Sequence, residues 1–108
     1  MRNSTEQRAR RHYRLRAYRI LGENVWIGGY ELDLIVRRGR ALVFCEVKGK
    51  AGVGYGDPLE MVDAEKVRRI RQAASAWLAA HSEHGGCDVR FDVVAERAGK
   101  LERVAHAF

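Results

Sequence analysis

The chain has 108 residues, 46% of them apolar and 31% charged, which is enough for one core of two or three layers and too apolar for a disordered chain. Lys and Arg number 20 against 14 Asp and Glu, and the resulting +6 charge suits a polyanionic partner. No apolar run reaches the length of a membrane span, Met1 to Arg16 lacks the apolar centre of a signal peptide, and Cys45 and Cys87 have no disulfide-framework spacing. A single cytoplasmic domain over residues 1–108, with reduced thiols and no membrane partner, is the expectation.

Ser4 and Gln7 have capping-box spacing and Glu6 suits a first helical turn, so a helix is predicted from Thr5 to Arg16. Its apolar face is thin: Ala9, Tyr13, Leu15 and Ala17. Arg8, Arg10, Arg11, Arg14 and Arg16 form either a solvated basic face or a phosphate-contacting surface, with Arg10 and Arg14 the nucleic-acid candidates. Beyond the helix, Tyr18 to Leu21 reads as an extended connection and Val25 to Ile27 as an edge strand, divided by Gly22-Glu23-Asn24. Trp26 is taken as a packing residue.

The next stretch organises the chain. Gly29 to Val36 and Ala41 to Lys48 are rich in Val, Ile, Leu and Phe and flank a charged break at Gly39, the pattern of two antiparallel strands. Alternation puts Glu31, Asp33 and Ile35 on one face and Leu32, Leu34 and Val36 on the other. On the following strand Leu42, Phe44, Glu46 and Lys48 share a face, opposite Val43, Cys45 and Val47. A turn centred between Arg38 and Gly39 sets Asp33 across from Phe44, diagonal to Glu46, with Glu31 directly across from Glu46. With apolar residues on both faces, the second strand is expected to be interior. Two acids and a lysine at the end of such a strand are costly to desolvate unless they serve one another, a metal or a ligand, and a divalent cation relieves the repulsion of clustered carboxylates.

Four glycines between Gly49 and Gly56 make a loop beside that strand end, where Lys50 and Tyr55 are candidates to touch a nucleic-acid backbone; Walker spacing is absent. A long helix is predicted from Leu59 to His81 on the spacing of Leu59, Val62, Val67, Ile70, Ala73, Ala74, Trp77 and Leu78. Lys66 falls near this stripe and either snorkels or points toward the acids. His81, His84 and Cys87 have a spacing that could recruit zinc but lack a fourth ligand. Val89 to Glu96 alternates as a strand, and Gly99 turns it toward Leu101 to Ala105.

An acid followed by Glu-x-Lys on the next strand, with this order of elements, resembles the PD-(D/E)XK nuclease superfamily. More closely, the chain resembles the YraN-type family of small endonuclease-like bacterial proteins, whose fold is similar to Holliday-junction resolvases. The matching stretches are Glu6 with Ala9, Tyr18-Arg19-Ile20-Leu21, Glu31-Leu32-Asp33-Leu34-Ile35, Val43-Phe44-Cys45-Glu46-Val47-Lys48, Gly56-Asp57-Pro58-Leu59-Glu60, Lys66 and Arg90-Phe91-Asp92-Val93-Val94-Ala95. Tyr30 stands where the pattern usually has Gly, and Gly49-Lys50 where it has a small or hydroxyl residue and Arg.

The resemblance implies an α/β fold, a restriction-endonuclease-like αβββαβ core with a mixed sheet flanked by helices. It implies metal-dependent hydrolysis of DNA phosphodiester bonds, on branched DNA as one option. Asp33, Glu46 and the Val47 carbonyl would hold Mg²⁺ or Mn²⁺, Lys48 would orient water or stabilise charge, and Glu31 and Glu6 would complete the acidic cluster. Resolvase-like nucleases often pair, so a homodimer is compatible. The rivals are a non-catalytic nucleic-acid-binding module and an assembly partner.

Overall fold

The computed structural model describes residues 4–49 and 62–108. Among them the order is α1 (Ser4–Arg14), β1 (Arg19–Ile27), β2 (Tyr30–Arg38), β3 (Ala41–Lys48), α2 (Ala64–Ala80), a 3-10 turn at Ser82–His84, β4 (Asp88–Arg97) and β5 (Lys100–Val104). The five strands form one sheet in the order β1-β2-β3-β4-β5, with β3 and β4 parallel and the other neighbours antiparallel. This is the predicted α/β class, a mixed sheet with a helix on each face, consistent with a restriction-endonuclease-like core and extended by β5.

The predicted interior strand is β3, third of five, and its two faces divide as the alternation requires. Val43 and Cys45 join Ala9, Tyr13, Tyr18, Leu34, Val36 and Val94 under α1. Leu42 and Phe44 join Leu32, Ile35, Ile70, Ala73, Ala74 and Trp77 under α2. The Phe44 and Trp77 rings meet edge to face at 5.8 Å.

Boundaries moved where local chemistry outweighs periodicity. Helix α1 closes at Arg14, short of the predicted Arg16, through i→i+3 bonds from Arg16 N to Tyr13 O and Ala17 N to Arg14 O, followed by Ala17 at φ 66. Helix α2 begins at Ala64 because the Asp63 carboxylate accepts the Lys66 N–H at 2.9 Å, the bond of an N-cap. Val62 and Asp63 therefore precede the helix that was predicted to start at Leu59. The two apolar pieces predicted before Gly28 are one strand, β1, with a register shift between Ile20 and Gly22.

The tip of the β1–β2 hairpin is Gly28-Gly29, at φ 60 and φ 79, the two-residue turn that matches strand twist. Gly28 also lies against α2: a Cβ added there would stand 3.1 Å from Ala73 Cα and 3.3 Å from Ala76 Cβ. Gly28→Ala therefore combines a left-handed backbone with overlap on a helix. A loss of about 2 kcal/mol is expected, read as a lower midpoint in urea unfolding with an unchanged slope.

The sheet's other face is tied by Asp92, fully buried on β4. Its carboxylate accepts from Tyr13 Oη at 2.6 Å, Arg90 Nε at 2.8 Å, Arg103 Nη1 at 3.3 Å and the His106 backbone N at 3.3 Å. One side chain thus joins α1, β4, β5 and the C-terminal residues.

Candidate metal and nucleic-acid site

The β2–β3 register is shifted two places from the predicted one. Pairs run from Arg38↔Ala41 to Leu34↔Cys45, so the turn is centred between Gly39 and Arg40 rather than between Arg38 and Gly39. A shift of two keeps every β3 side chain on its predicted face. Phe44 faces Ile35 instead of Asp33, and Glu31 pairs with Trp26 of β1 instead of lying across from Glu46.

Asp33 departs from the predicted faces for a different reason. Leu34 and Val36 pack under α1 and Ile35 under α2, but Leu32 also packs under α2, so the alternation of β2 breaks at Asp33. The pairs Glu23↔Leu34 and Val25↔Leu32 bracket Asp33 and Asn24, and Asn24 takes φ 50. This kink frees the Asp33 carboxylate to cross the seam and accept the Val47 N–H at 2.9 Å. Irregularities of this kind re-aim side chains beside functional sites. Asp33 also lines a small cavity with Glu6, Arg10, Glu23, Asn24, Leu34 and Val47.

Glu46 stays on the α2 side and is only 3% exposed. Tyr30 donates its hydroxyl to Glu46 Oε1 at 2.9 Å, and Lys48 Nζ lies 3.7 Å from the same oxygen. Burial first, then the charge of Asp33, pushes the Glu46 carboxyl up from 4.5 to about 7, while Tyr30, Lys48 and Lys66 oppose the rise. Asp33 is raised as well, chiefly by burial, against the lowering effect of the Val47 N–H and Lys48; Glu6 and Glu31 push it further up. The Asp33 charge thus raises Glu46, and the charges of Glu6 and Glu31 raise Asp33, with the Asp33 carboxylate held at the seam on the Val47 N–H.

The lysines converge too. Lys66, on the first turn of α2, is held below its ordinary value first by a hydrogen bond to Lys48 and then by the Lys48 charge, with Glu46 acting to raise it. Lys66 is thus felt by both Lys48 and Glu46 from the first turn of α2. Arg10 pairs with Glu23 at 2.9 Å, and Arg14 is exposed on the last turn of α1. Lys50 and Tyr55 lie outside the described residues.

Two residues escaped the sequence reading. Tyr30 was noted only as a departure from a pattern, yet its hydroxyl holds Glu46; its place two residues before Leu32, on the same α2 side, was the available signal. Trp26, taken as a packing residue, is 74% exposed. The His81, His84 and Cys87 spacing makes no zinc site: His81 Nδ1 meets Trp77 O at 2.8 Å, His84 Nδ1 meets Arg37 Nη1 at 2.7 Å, and Cys87 packs with the α2 core. Among the described residues no helix is long and apolar enough to cross a membrane.

A family model described as "Uncharacterised protein family UPF0102" matches residues 5–95. A UPF0102 protein of Acidothermus cellulolyticus is 43% identical over 117 residues, covering 95% of this chain and 89% of the relative. One from Shewanella amazonensis is 38% identical, covering 95% and 94%, and the UPF0102 protein YraN of Escherichia coli O8 is 38% identical, covering 95% and 79%.

Proposed function

We propose, for a chain that belongs to the UPF0102 family, divalent-cation-dependent hydrolysis of DNA phosphodiester bonds at the strand end carrying Asp33, Glu46 and Lys48. The observation that carries this reading is Glu46, a buried carboxyl raised to about 7 beside a second raised carboxyl. An apolar side chain would fill that place at no electrostatic cost, so the acids serve something other than the fold.

The donor set fits a hard cation. Two carboxylates, with water and a phosphate oxygen completing the shell, suit Mg²⁺ or Mn²⁺, and no thiol or imidazole belongs to the set. Asp33, Glu46 and, as the nuclease resemblance implies, the Val47 carbonyl would hold the ion. When bound it would acidify a water and neutralise phosphate charge.

The protein's own groups do the rest. Tyr30 fixes one Glu46 oxygen and the Val47 N–H fixes one Asp33 oxygen, so both carboxylates are oriented before substrate arrives. Lys48 keeps an ammonium beside Glu46, where it can donate to a phosphate oxygen or orient the attacking water. Lys66 adds a second ammonium at the same place. Glu31 and Glu6 complete the acidic surround; the proposed contacts to the DNA backbone are Arg14, Arg10 once released from Glu23, and Lys50 and Tyr55, which lie outside the described residues. Recognition through phosphates and DNA shape is the reading that the basic charge favours, with branched DNA the preferred substrate and steep salt sensitivity.

One observation favours the binding-module reading: among the described residues no group of three or more His, Cys, Asp or Glu side chains gathers as a ligand set. The two readings separate in one experiment. Single-stranded, duplex and four-way-branched DNA are incubated in EDTA, Mg²⁺ and Mn²⁺ with wild type, Asp33→Ala and Lys48→Ala. Cleavage by wild type alone, and only with cation, is the expected result. A pure binding module would cut nothing, and would bind as well in EDTA and as well or better after Asp33→Ala. Equal cutting by all three proteins would remove the enzyme reading.

A further inference from the structure

Trp26 is the largest side chain that the fold leaves in solvent, at 74% exposure, whereas Trp77 is 3% exposed in the core. Its placement is rigid. Val25 and Ile27 on either side pack under α2, which turns Trp26 to the opposite face, the side of the sheet on which α1 lies. The hairpin tip next to it is pinned by the approach of Gly28 to Ala73 and Ala76. An exposed indole on a fixed strand loses little freedom when it binds.

Its neighbours tie it to the site. Trp26 pairs with Glu31, whose charge is felt by Asp33, and Asn24, two residues earlier on β1, lines the cavity with Asp33. Along β2, Asp33 is two residues from the position opposite Trp26, a rise of about 7 Å. Stacked nucleotides advance about 3.4 Å each along a strand, so the indole stands one or two nucleotides from a phosphate at Asp33. The net charge of +6 and the exposed Arg14, one turn beyond the Arg10 that pairs with Glu23 of β1, suit the accompanying backbone.

We propose that Trp26 is a stacking platform for an unpaired base of single-stranded or branch-point DNA, one or two nucleotides from the reacting phosphate. This rests on the nuclease reading above for the polarity of the site, and it assigns the substrate feature that the site selects. Indole faces stack on any base, so selection is for an unstacked base and not for a sequence.

The test is titration of tryptophan fluorescence with single-stranded DNA, a four-way junction and a duplex closed by hairpins at both ends. Wild type, Trp26→Ala, Trp26→Phe and Asp33→Ala are compared, with solution mass measured for each. Single-stranded DNA is expected to quench wild type and Asp33→Ala but not Trp26→Ala, since Trp77 is shielded. Trp26→Ala should lose roughly 5- to 100-fold in affinity for single strands and less than about twofold for closed duplex, with Trp26→Phe retaining most of it. Equal losses on every DNA, or none, would overturn the platform. So would a wild-type dimer that becomes monomeric on Trp26→Ala, because the indole would then be a contact between copies. If Asp33→Ala still cleaves while Trp26→Ala loses single strands, the nuclease reading fails and the platform stands; the reverse pattern removes the platform alone.

Discussion

Glu46→Gln is expected to lower cleavage by roughly 10²- to 10³-fold while making the cation-free protein more stable above pH 7. The folded Glu46 carboxyl titrates near 7 against an ordinary 4.5, so the folded protein holds this proton more tightly than the unfolded chain. The stability linked to that proton is fully present below about pH 4.5 and is lost as pH rises through about 7. Gln keeps the shape and can still accept from Tyr30, but never carries the charge. Because the Lys48 ion pair is lost as well, the net gain is put at about 1–2 kcal/mol, or about 5–10 °C in Tm, near pH 8 in EDTA. Near pH 4.5 the two proteins should melt together. Mg²⁺ should then raise the wild-type Tm and leave the variant where it was. Thermal scans at the two pH values, with and without cation, check all three statements, and they do so without an activity assay.

Asp92→Ala is expected to be the most damaging single change to the fold. It removes the acceptor shared by Tyr13, Arg90, Arg103 and the His106 N–H, and strands the Arg90 guanidinium, whose side chain is 15% exposed. Breaking one side of a buried ion pair typically costs 3–5 kcal/mol; Arg103 is 31% exposed and can turn to water, so about 3 kcal/mol is expected here. For a domain of this size that lowers Tm by about 10–20 °C. Asp92→Asn, which keeps the oxygen but not the charge, should fall between wild type and Ala. Calorimetry on the three proteins measures the order.

These two acids mark what the chain discloses and what it does not. The strand carrying Glu46 was legible because Val43 and Cys45 alternate with Leu42 and Phe44, and only an interior strand has apolar residues on both faces. The stripe of α2 was legible for the same kind of reason, and Ile70, Ala73, Ala74 and Trp77 of that stripe form its buried face. Asp33 was legible as a residue but not as a geometry: its escape from alternation depends on a left-handed Asn24 on another strand, and no local pattern in β2 announces that. Asp92 sits in a strand that was predicted, yet its partners come from α1, β5 and the C-terminal residues, so its burial appears only once those elements meet. Trp26 failed through its apolar neighbourhood, where one residue facing outward leaves no periodic trace.

The single parallel pair among the described strands also orders events in time. β1, β2 and β3 close through two-residue turns at Gly28-Gly29 and Gly39-Arg40, whereas β3 and β4 must await a crossover that contains α2. Short closures come early and long ones late. Refolding therefore sets Asp33 and Glu46 against each other in a nascent meander before Lys66 arrives with the crossover. The slow phase of refolding should register the arrival of α2, and with it the burial of Glu46.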